Sequence, residues 1–554
     1  MIEKSFIEMY EETFRKNWNL PAFSDYGKES VLTYENVARR ILQLHFMFKK
    51  IGIKKGDKIA LAGKNSSHWA IVYLASILYG APIVPILADF HQEDVQHIVN
   101  HSDSVLLFAS HSIYEKIDES NLKNVKAILS LHTFEVFTAK KKMTESTIIN
   151  AFHTFDKKPA IIPVEPLFTA TIQNNDLAAI VYTSGTTGFS KGAMLTYNSL
   201  MANVLFAIDN LHLEQGDKIL SFLPLAHAYG CAFDFLFPVV RGCHVVYLEQ
   251  IPSPKILMKA FQDVRPRLIN SVPLAFEKIY KKQIAPKLEH LNGTLVMKMP
   301  FMKNIVRSKI RNSLIQAFGG NFIQIVIGGA ALNREVEQFL KLIKFPFSVG
   351  YGMTECGPLI SYDNHKTHKA QSVGKAINFV EVSIDSPNPA EIVGEILVKG
   401  ENVMNGYYKN DVATQEVLPG DGWLHTGDLG VMDSDGVIFI RGRSKNMILG
   451  ASGQNIYPEE IESKLNNLPY IQESLVIDNN GAIVALVYPD FDAIDAQKRN
   501  SGDLEKWLEE RMNENKEYVN QQLPSFITVS KIILHPEPFE KTPTQKVKRF
   551  LYKV

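Results

Sequence analysis

Residues 182–200 read YTSGTTGFSKGAMLTYNSL, with hydroxyls at Thr183, Ser184, Thr186 and Thr187, glycines at Gly185, Gly188 and Gly192, and a single lysine, Lys191. Glycine lets backbone N–H groups crowd an anion, the hydroxyls add donors and the ammonium adds charge, so the stretch is composed like a phosphate cradle and points to a nucleotide. It is not the G-x-x-x-x-G-K-[ST] loop: Gly185 and Gly188 stand too close together and Lys191 is followed by Gly192. The plain alternative is a surface loop rich in Gly, Ser and Thr.

Two further groups carry chemistry. In VGYGMTECGPLIS, residues 349–361, Tyr351 offers an aromatic face to a base, Thr354 a hydroxyl to phosphate and Glu355 a hard carboxylate to Mg²⁺. Nearby, IGGAAL at 327–332 leaves room at Gly329 and Ala330 for a flat ring or an acyl head against bare backbone, or simply lets strand and helix pack closely. In GWLHTGDLG and the following IRGRSKNMILGASGQNIYPEEIE, Asp428 could accept hydrogen bonds from a ribose diol and Arg443 could present its fork of donors to ribose or phosphate. Taken singly, each is more often a turn or a surface ion-pair residue, and spacing alone does not bring the three groups together.

The elements that must position them alternate in type. KIALAG, PIVPIL, VLLFAS, LAAIVYTS, KILSFLP, HVVYL, RLINSVP and IQIVIGGA read as buried strands, most followed by a turn and a helical pattern. That order predicts an α/β fold of helix-covered, largely parallel sheets, with the phosphate loop leaving the strand LAAIVY and preceding a helix from about Asn198. After about residue 370 the glycine-punctuated VGEILVKG and GVIFIRGR predict a β-rich subdomain, the latter entered through the turn DSDG. Beyond about Asn446, PEEIESKLNNL, ESLVI, AIVALVYP and GDLEKWLEERMNENKEYVNQQL predict a smaller α+β domain.

Composition removes several function classes. The chain has 554 residues, with 59 basic and 59 acidic side chains in balance, so no global field draws it to nucleic acid. Cys231, Cys243 and Cys356 are odd in number and not spaced as metal ligands, which fits a reducing compartment. The first residues lack the apolar core of a secretory signal, and a cytoplasmic location is expected. The uncharged run at 69–87 is cut by Gly80, Pro82 and Pro85, so a capped helix, a turn and a buried strand are expected there, not a membrane span.

The phosphate loop, YGMTE, GWLHTGD, GRSKNMI and the terminal TPTQKVKR occur in order over most of the chain. Together they resemble the acyl-adenylate-forming superfamily of acyl-CoA synthetases, nonribosomal adenylation domains and luciferases; SFLPLAHAYG and SVPLAFEKIY are similar to the long-chain fatty acid–CoA ligases. The resemblance implies the fold of that superfamily, a large N-terminal domain over 1–441, a hinge at 442–446 and a small mobile domain over 447–554. It implies activation of a fatty acid, with a long-chain acid the nearer match, by ATP and Mg²⁺, followed by thioester formation with CoA and release of AMP and pyrophosphate.

Carried over by position, Thr183, Ser184, Gly185, Thr186, Thr187, Gly188 and Lys191 would wrap the phosphates. Gly329, Ala330 and Tyr351, with Gly352 and Met353, would hold adenine, while Thr354 would serve the α-phosphate. Glu355 and Thr183 would contact the metal, and Asp428 and Arg443 would grip the ribose. Lys546 matches the catalytic lysine, Lys445 the hinge, Gly453 the loop brought toward the site by the domain swing, and His227 the position gating acyl or thiol access. Gln545 stands where the family more often has glycine, and Asn446 where it often has aspartate.

AYGCAFDFLFPVV and VPLAF supply apolar residues for an acyl pocket, or equally for an ordinary core helix. Nine basic residues against the one acid Glu289 over 278–311 form either a solvated face or a site of peripheral contact with an anionic membrane. The alternatives are an acyl carrier protein as acceptor, a medium-chain or aryl acid, and, from another class, a non-catalytic lipid-binding protein of the same fold. A hydrolase with the G-x-x-x-x-G-K-[ST] loop is disfavoured by the spacing above.

Overall fold

The computed structural model describes residues 2–158, 166–183, 190–273, 276–277, 280, 303–449, 454–497, 504–524, 527–542 and 547–552. Ser184 to Gly188, Gly453 and Lys546 lie outside the described residues, as do Lys278, Lys281, Lys282, Lys287 and Lys298 of the basic stretch.

Each anticipated strand forms. Among the described residues, seven strands make one sheet and nine another. In the first, Ser104–Ala109, Lys58–Ala62, Ile83–Ile86 and Leu177–Thr183 run parallel as neighbours. In the second, parallel pairing extends through Lys218–Ser221, Leu268–Ser271, Gln324–Gly328 and Phe347–Gly352. Continuous apolar runs buried on both faces require helices on either side. The helix Ser67–Tyr79 is buried almost all round; it starts where Ser66 Oγ accepts the Trp69 N–H and stops at Gly80, whose φ of +85° suits a left-handed cap. Among the described residues no helix is long and apolar enough to cross a membrane.

The sheet edges depart from the expected parallel pattern. The residues expected to cradle phosphate do not lead straight into a helix: the strand Lys191–Thr196 intervenes and pairs antiparallel with Leu177–Thr183, so the two strands form a β-hairpin. GAMLT reads as apolar and helical, but Ala193 and Leu195 alternate inward, and a Cβ at Gly192 would stand 2.8 Å from Ile180. The helix Tyr197–Asn210 then begins with a capping box between Thr196 and Ser199.

Four antiparallel strands, Val380–Asp385, Gly394–Gly400, Leu424–Met432 and Ile438–Arg443, form the β-rich subdomain. A three-stranded sheet follows, in which Ala482–Pro489 pairs with Ile471–Asn479 and, in parallel, with Val529–Leu534. It packs with the helices Pro458–Leu465 and Leu504–Gln521 around Ile461, Leu465, Val476, Leu508 and Met512, a core distinct from that of the large sheets.

The antiparallel edge of the nine-stranded sheet is locked by a buried ionic cluster. His368 Nδ1 lies 2.8 Å from Asp363 Oδ2, and its Nε2 meets Glu337 Oε1 on the helix Arg334–Leu342. Ser372 and Gln371 donate to the same two carboxylates. Burial pushes the imidazole toward its neutral form, but the two carboxylates outweigh it and hold its pKa above the ordinary value; both acids are held below theirs. The histidine's contribution is therefore complete below its unfolded value near 6.5 and is lost as pH rises through the raised folded value. The acids' contribution is lost at low pH.

Replacing His368 with glutamine leaves two buried carboxylates without a cation and is expected to destabilise by about 3–5 kcal/mol near pH 6, with a smaller gap near pH 9. Urea unfolding of both proteins at the two pH values checks this. A gap independent of pH would show that the charged imidazole is not what stabilises the edge.

Candidate active site

The hairpin carries Thr183 and Lys191, the described residues expected on the phosphate side. Thr183 and Lys191 are register partners at its loop end, and the Thr183 hydroxyl donates to the Lys191 carbonyl at 3.4 Å. The Lys191 side chain runs over the ring of Tyr407, its Nζ 5.1 Å from the centroid.

The strand Phe347–Gly352 delivers the second group. Its register with Gln324–Gly328 pairs Gly328 with Gly350, so Gly329 and Ala330 leave the sheet at the same edge as Tyr351. Gly329 takes a φ of +89°, and both it and Ala330 are exposed. A Cβ at Gly352 would stand 2.1 Å from the Pro358 carbonyl, so only glycine lets the chain cross there. Met353 follows, and Thr354–Cys356 form a 3₁₀ turn in which Thr354 is half-buried and Glu355 is 8% exposed. Asn203 fixes this turn from the helix behind, donating to the Cys356 carbonyl at 3.2 Å and accepting the Leu359 N–H at 2.8 Å.

Glu355 Oε1 accepts the Tyr407 hydroxyl at 2.7 Å, and its Oε2 has no hydrogen-bond partner among the described residues. Burial, the Glu355 charge and this hydrogen bond raise the Tyr407 phenol far above its usual pKa, so Tyr407 is a permanent donor. Sequence reasoning missed Tyr407. The only local signal is the aromatic pair in NGYYKN, which has no spacing that names a chemistry.

The third group is a cross-strand pair. Asp428 sits inside Leu424–Met432, directly opposite Arg443 on Ile438–Arg443. Arg443 Nε lies 2.7 Å from Asp428 Oδ1, while the Tyr351 hydroxyl donates to Oδ2 at 2.7 Å. The carboxylate is buried and the guanidinium half-exposed, with 47% of that side chain accessible. Burial, then the Asp428 charge, raise the Tyr351 phenol well above its ordinary pKa. Tyr351 therefore ties the third group to the strand that leads into the Glu355 turn.

The structure thus joins Lys191, Tyr407 and Glu355 in one chain of contacts and Tyr351, Asp428 and Arg443 in a second, one strand and turn apart. A guanidinium, an ammonium and a carboxylate whose Oε2 is unbonded among the described residues are the group types that bind a polyanion, a diol and a hard cation.

His227 stands at the entrance to a buried helical run, Ala228–Val240, where its Nδ1 accepts the Tyr229 N–H at 3.3 Å. The run includes a π-helical turn at Cys231–Leu236. Within it the fully buried Asp234 accepts from Asn270 Nδ2 at 2.7 Å, and burial pushes its pKa up to about 7 against the opposing hydrogen bonds. Ala228, Cys231 and Ala232 share a small apolar cavity with Val181 and Leu195 of the hairpin and with Gly357.

Lys445 does not continue a strand; it lies exposed in the 3₁₀ turn Ser444–Asn446. Asn446 Nδ2 donates to Glu459 Oε1 at 2.6 Å, and Arg441 lies 3.5 Å from Glu460, both acids on the helix Pro458–Leu465. Of the basic stretch, Arg307, Lys309 and Arg311 lie on the helix Lys303–Ala317.

A family model described as AMP-binding enzyme matches residues 10–408. The chain is 27% identical to long chain acyl-CoA synthetase 3 of Arabidopsis thaliana over 94% of this chain and 85% of that protein. It is 28% identical to the long-chain-fatty-acid–CoA ligase FadD15 of Mycobacterium bovis, over 90% and 86% of the respective chains. Among solved structures, the o-succinylbenzoate CoA synthetase MenE of Bacillus subtilis, in complex with ATP and magnesium ion, superposes with a TM-score of 0.72 at 20% identity, covering 98% of both chains.

Proposed function

The chain belongs to the AMP-binding enzyme family, and from that premise we propose that it is an ATP-dependent fatty acid–CoA ligase acting on long-chain acids. The observation that carries the reading is the gathering of Lys191 and Glu355 about Tyr407 beside Asp428, bonded to both Arg443 and Tyr351. The long-chain assignment draws support from the names of the relatives and from the apolar wall of Ala228, Cys231 and Ala232 beside the phosphate hairpin.

In this reading Asp428 accepts the ribose hydroxyls, and Tyr351 with Gly329, Ala330, Gly352 and Met353 borders adenine. Lys191, Thr183 and residues 184–188 hold the β- and γ-phosphates, and Thr354 the α-phosphate. Glu355 fits Mg²⁺: it is buried, hard and, among the described residues, has an oxygen to spare, as suits an ion held by one carboxylate and substrate phosphates. Mg²⁺, when bound, neutralises charge on the phosphoryl oxygens.

A carboxylate oxygen of the acid attacks the α-phosphorus as the bond to the pyrophosphate oxygen breaks, with Lys546 supplying positive charge at the reacting oxygens. The CoA thiolate then attacks the acyl carbonyl and AMP leaves. A thiol ionises near neutrality, so this second step needs no strong base. His227 sits where it can gate acyl or thiol entry. We assign residues 1–441 and 447–554 to two domains joined by a hinge at 442–446 that includes Lys445, and Gly453 to the face presented after the swing. The separate core around Ile461 and Val476 supports that division.

ATP–pyrophosphate exchange driven by a series of short, long and aryl acids tests the substrate class. Exchange rising with chain length is expected. Exchange with aryl acids alone would move the chain to the aryl ligases, and none with any acid would withdraw the reading.

A further inference from the structure

Tyr407 reaches the site by a route that crosses the fold. Met404 N–H donates to the Glu355 carbonyl at 2.8 Å, so the segment starts against the metal-side turn. Three backbone bonds then stitch it along the edge of the phosphate hairpin: Asn405 N–H to the Met194 carbonyl, Met194 N–H to the Gly406 carbonyl and Tyr408 N–H to the Gly192 carbonyl, at 2.8–2.9 Å. Residues 405–408 act as one more antiparallel strand, with Tyr407 opposite Ala193.

Successive side chains on a strand face opposite ways. Tyr407 turns into the site, whereas Tyr408 turns outward, donating to Asp103 Oδ2 at 2.8 Å beneath the Lys58 ammonium. Two features fix the register. Gly406 has a φ of +117°, and a Cβ there would lie 2.7 Å from Thr414; the Tyr407 N–H donates to Thr414 Oγ1 at 2.9 Å. A slip of one residue would exchange the two phenols.

We propose that Tyr407 is a positioning residue that sets the metal-side carboxylate and the phosphate-side lysine in mutual register. Its hydroxyl holds Glu355 Oε1 and leaves Oε2 for the cation, and its ring face seats the Lys191 ammonium. One side chain therefore couples the two charges that a nucleotide–metal complex must meet at once. The inference rests on the functional reading above and concerns how that site is tuned.

The test compares Tyr407→Phe, which keeps the ring, with Tyr407→Leu, which removes it. ATP binding with and without Mg²⁺ and the Mg²⁺ dependence of acid-driven pyrophosphate release are read in the full-length protein. Tyr407→Phe should raise the half-saturating Mg²⁺ about five- to tenfold while leaving metal-free ATP binding unchanged. Tyr407→Leu should in addition weaken metal-free ATP binding roughly threefold to thirtyfold. In a Glu355→Gln background, Tyr407→Phe should change the Mg²⁺ curve no further.

A wild-type Mg²⁺ curve in Tyr407→Phe, or an equal loss of ATP binding with and without metal, would overturn the proposal while leaving the ligase reading intact. Wild-type protein that neither binds ATP nor releases pyrophosphate would overturn both.

Discussion

Glu355→Gln is expected to lower acid-dependent pyrophosphate release by about 10²–10³-fold at a fixed Mg²⁺ concentration, on the scale of losing one charge-stabilising group from an active site. Glutamine matches the carboxylate in size and can still accept the Tyr407 hydroxyl, so the fold of the 354–356 turn should survive. What it removes is the negative charge on the free oxygen. A hard divalent cation then trades an anionic ligand for a neutral one. The diagnostic result is a Mg²⁺ dependence that fails to saturate where the wild type does. A variant with equal loss at every Mg²⁺ concentration would show that Glu355 serves packing and not the metal.

Lys546→Ala should separate the two half-reactions. Formation of the acyl adenylate should fall by about 10²–10³-fold if Lys546 supplies the positive charge proposed for it at the reacting oxygens. Thioester formation from synthetic acyl adenylate and CoA should change by no more than a few fold. The expectation follows from the match of TPTQKVKR to the family's terminal motif. Pyrophosphate release and single-turnover thioester formation, measured on the same preparation, read the two steps. Equal loss in both would contradict a role confined to adenylation.

The sequence carried the strands because buried parallel strands are apolar runs between turn residues, and LAAIVYTS and IQIVIGGA are legible as such. The Gly, Ser and Thr content of residues 183–188 makes the proposed phosphate cradle legible as a candidate. The hairpin that holds it was not, since GAMLTYNSL satisfies a helical pattern from its first apolar residue and only the pairing with Leu177–Thr183 decides otherwise. Asp428 and Arg443 were named, but their meeting depends on cross-strand register over an intervening turn and a bulge at Leu429 and Gly430. Tyr407 was invisible because its place is set by pairing with residues more than two hundred positions earlier. The Glu337, Asp363 and His368 cluster has the same origin: each is an ordinary surface type whose burial is decided by the helix and sheet edge that converge on it.

The central claim is that ATP is cleaved at the α-phosphorus by a fatty carboxylate and that the acyl group passes to CoA. The most direct measurement is the identity of the nucleotide product, together with acyl-CoA, after incubation with Mg²⁺-ATP, a long-chain acid and CoA. The account predicts AMP, pyrophosphate and acyl-CoA in equal amounts over many turnovers, none of them without the acid, and only a single turnover of adenylate when CoA is left out. ADP as the product, or AMP formed without dependence on the acid, would contradict it.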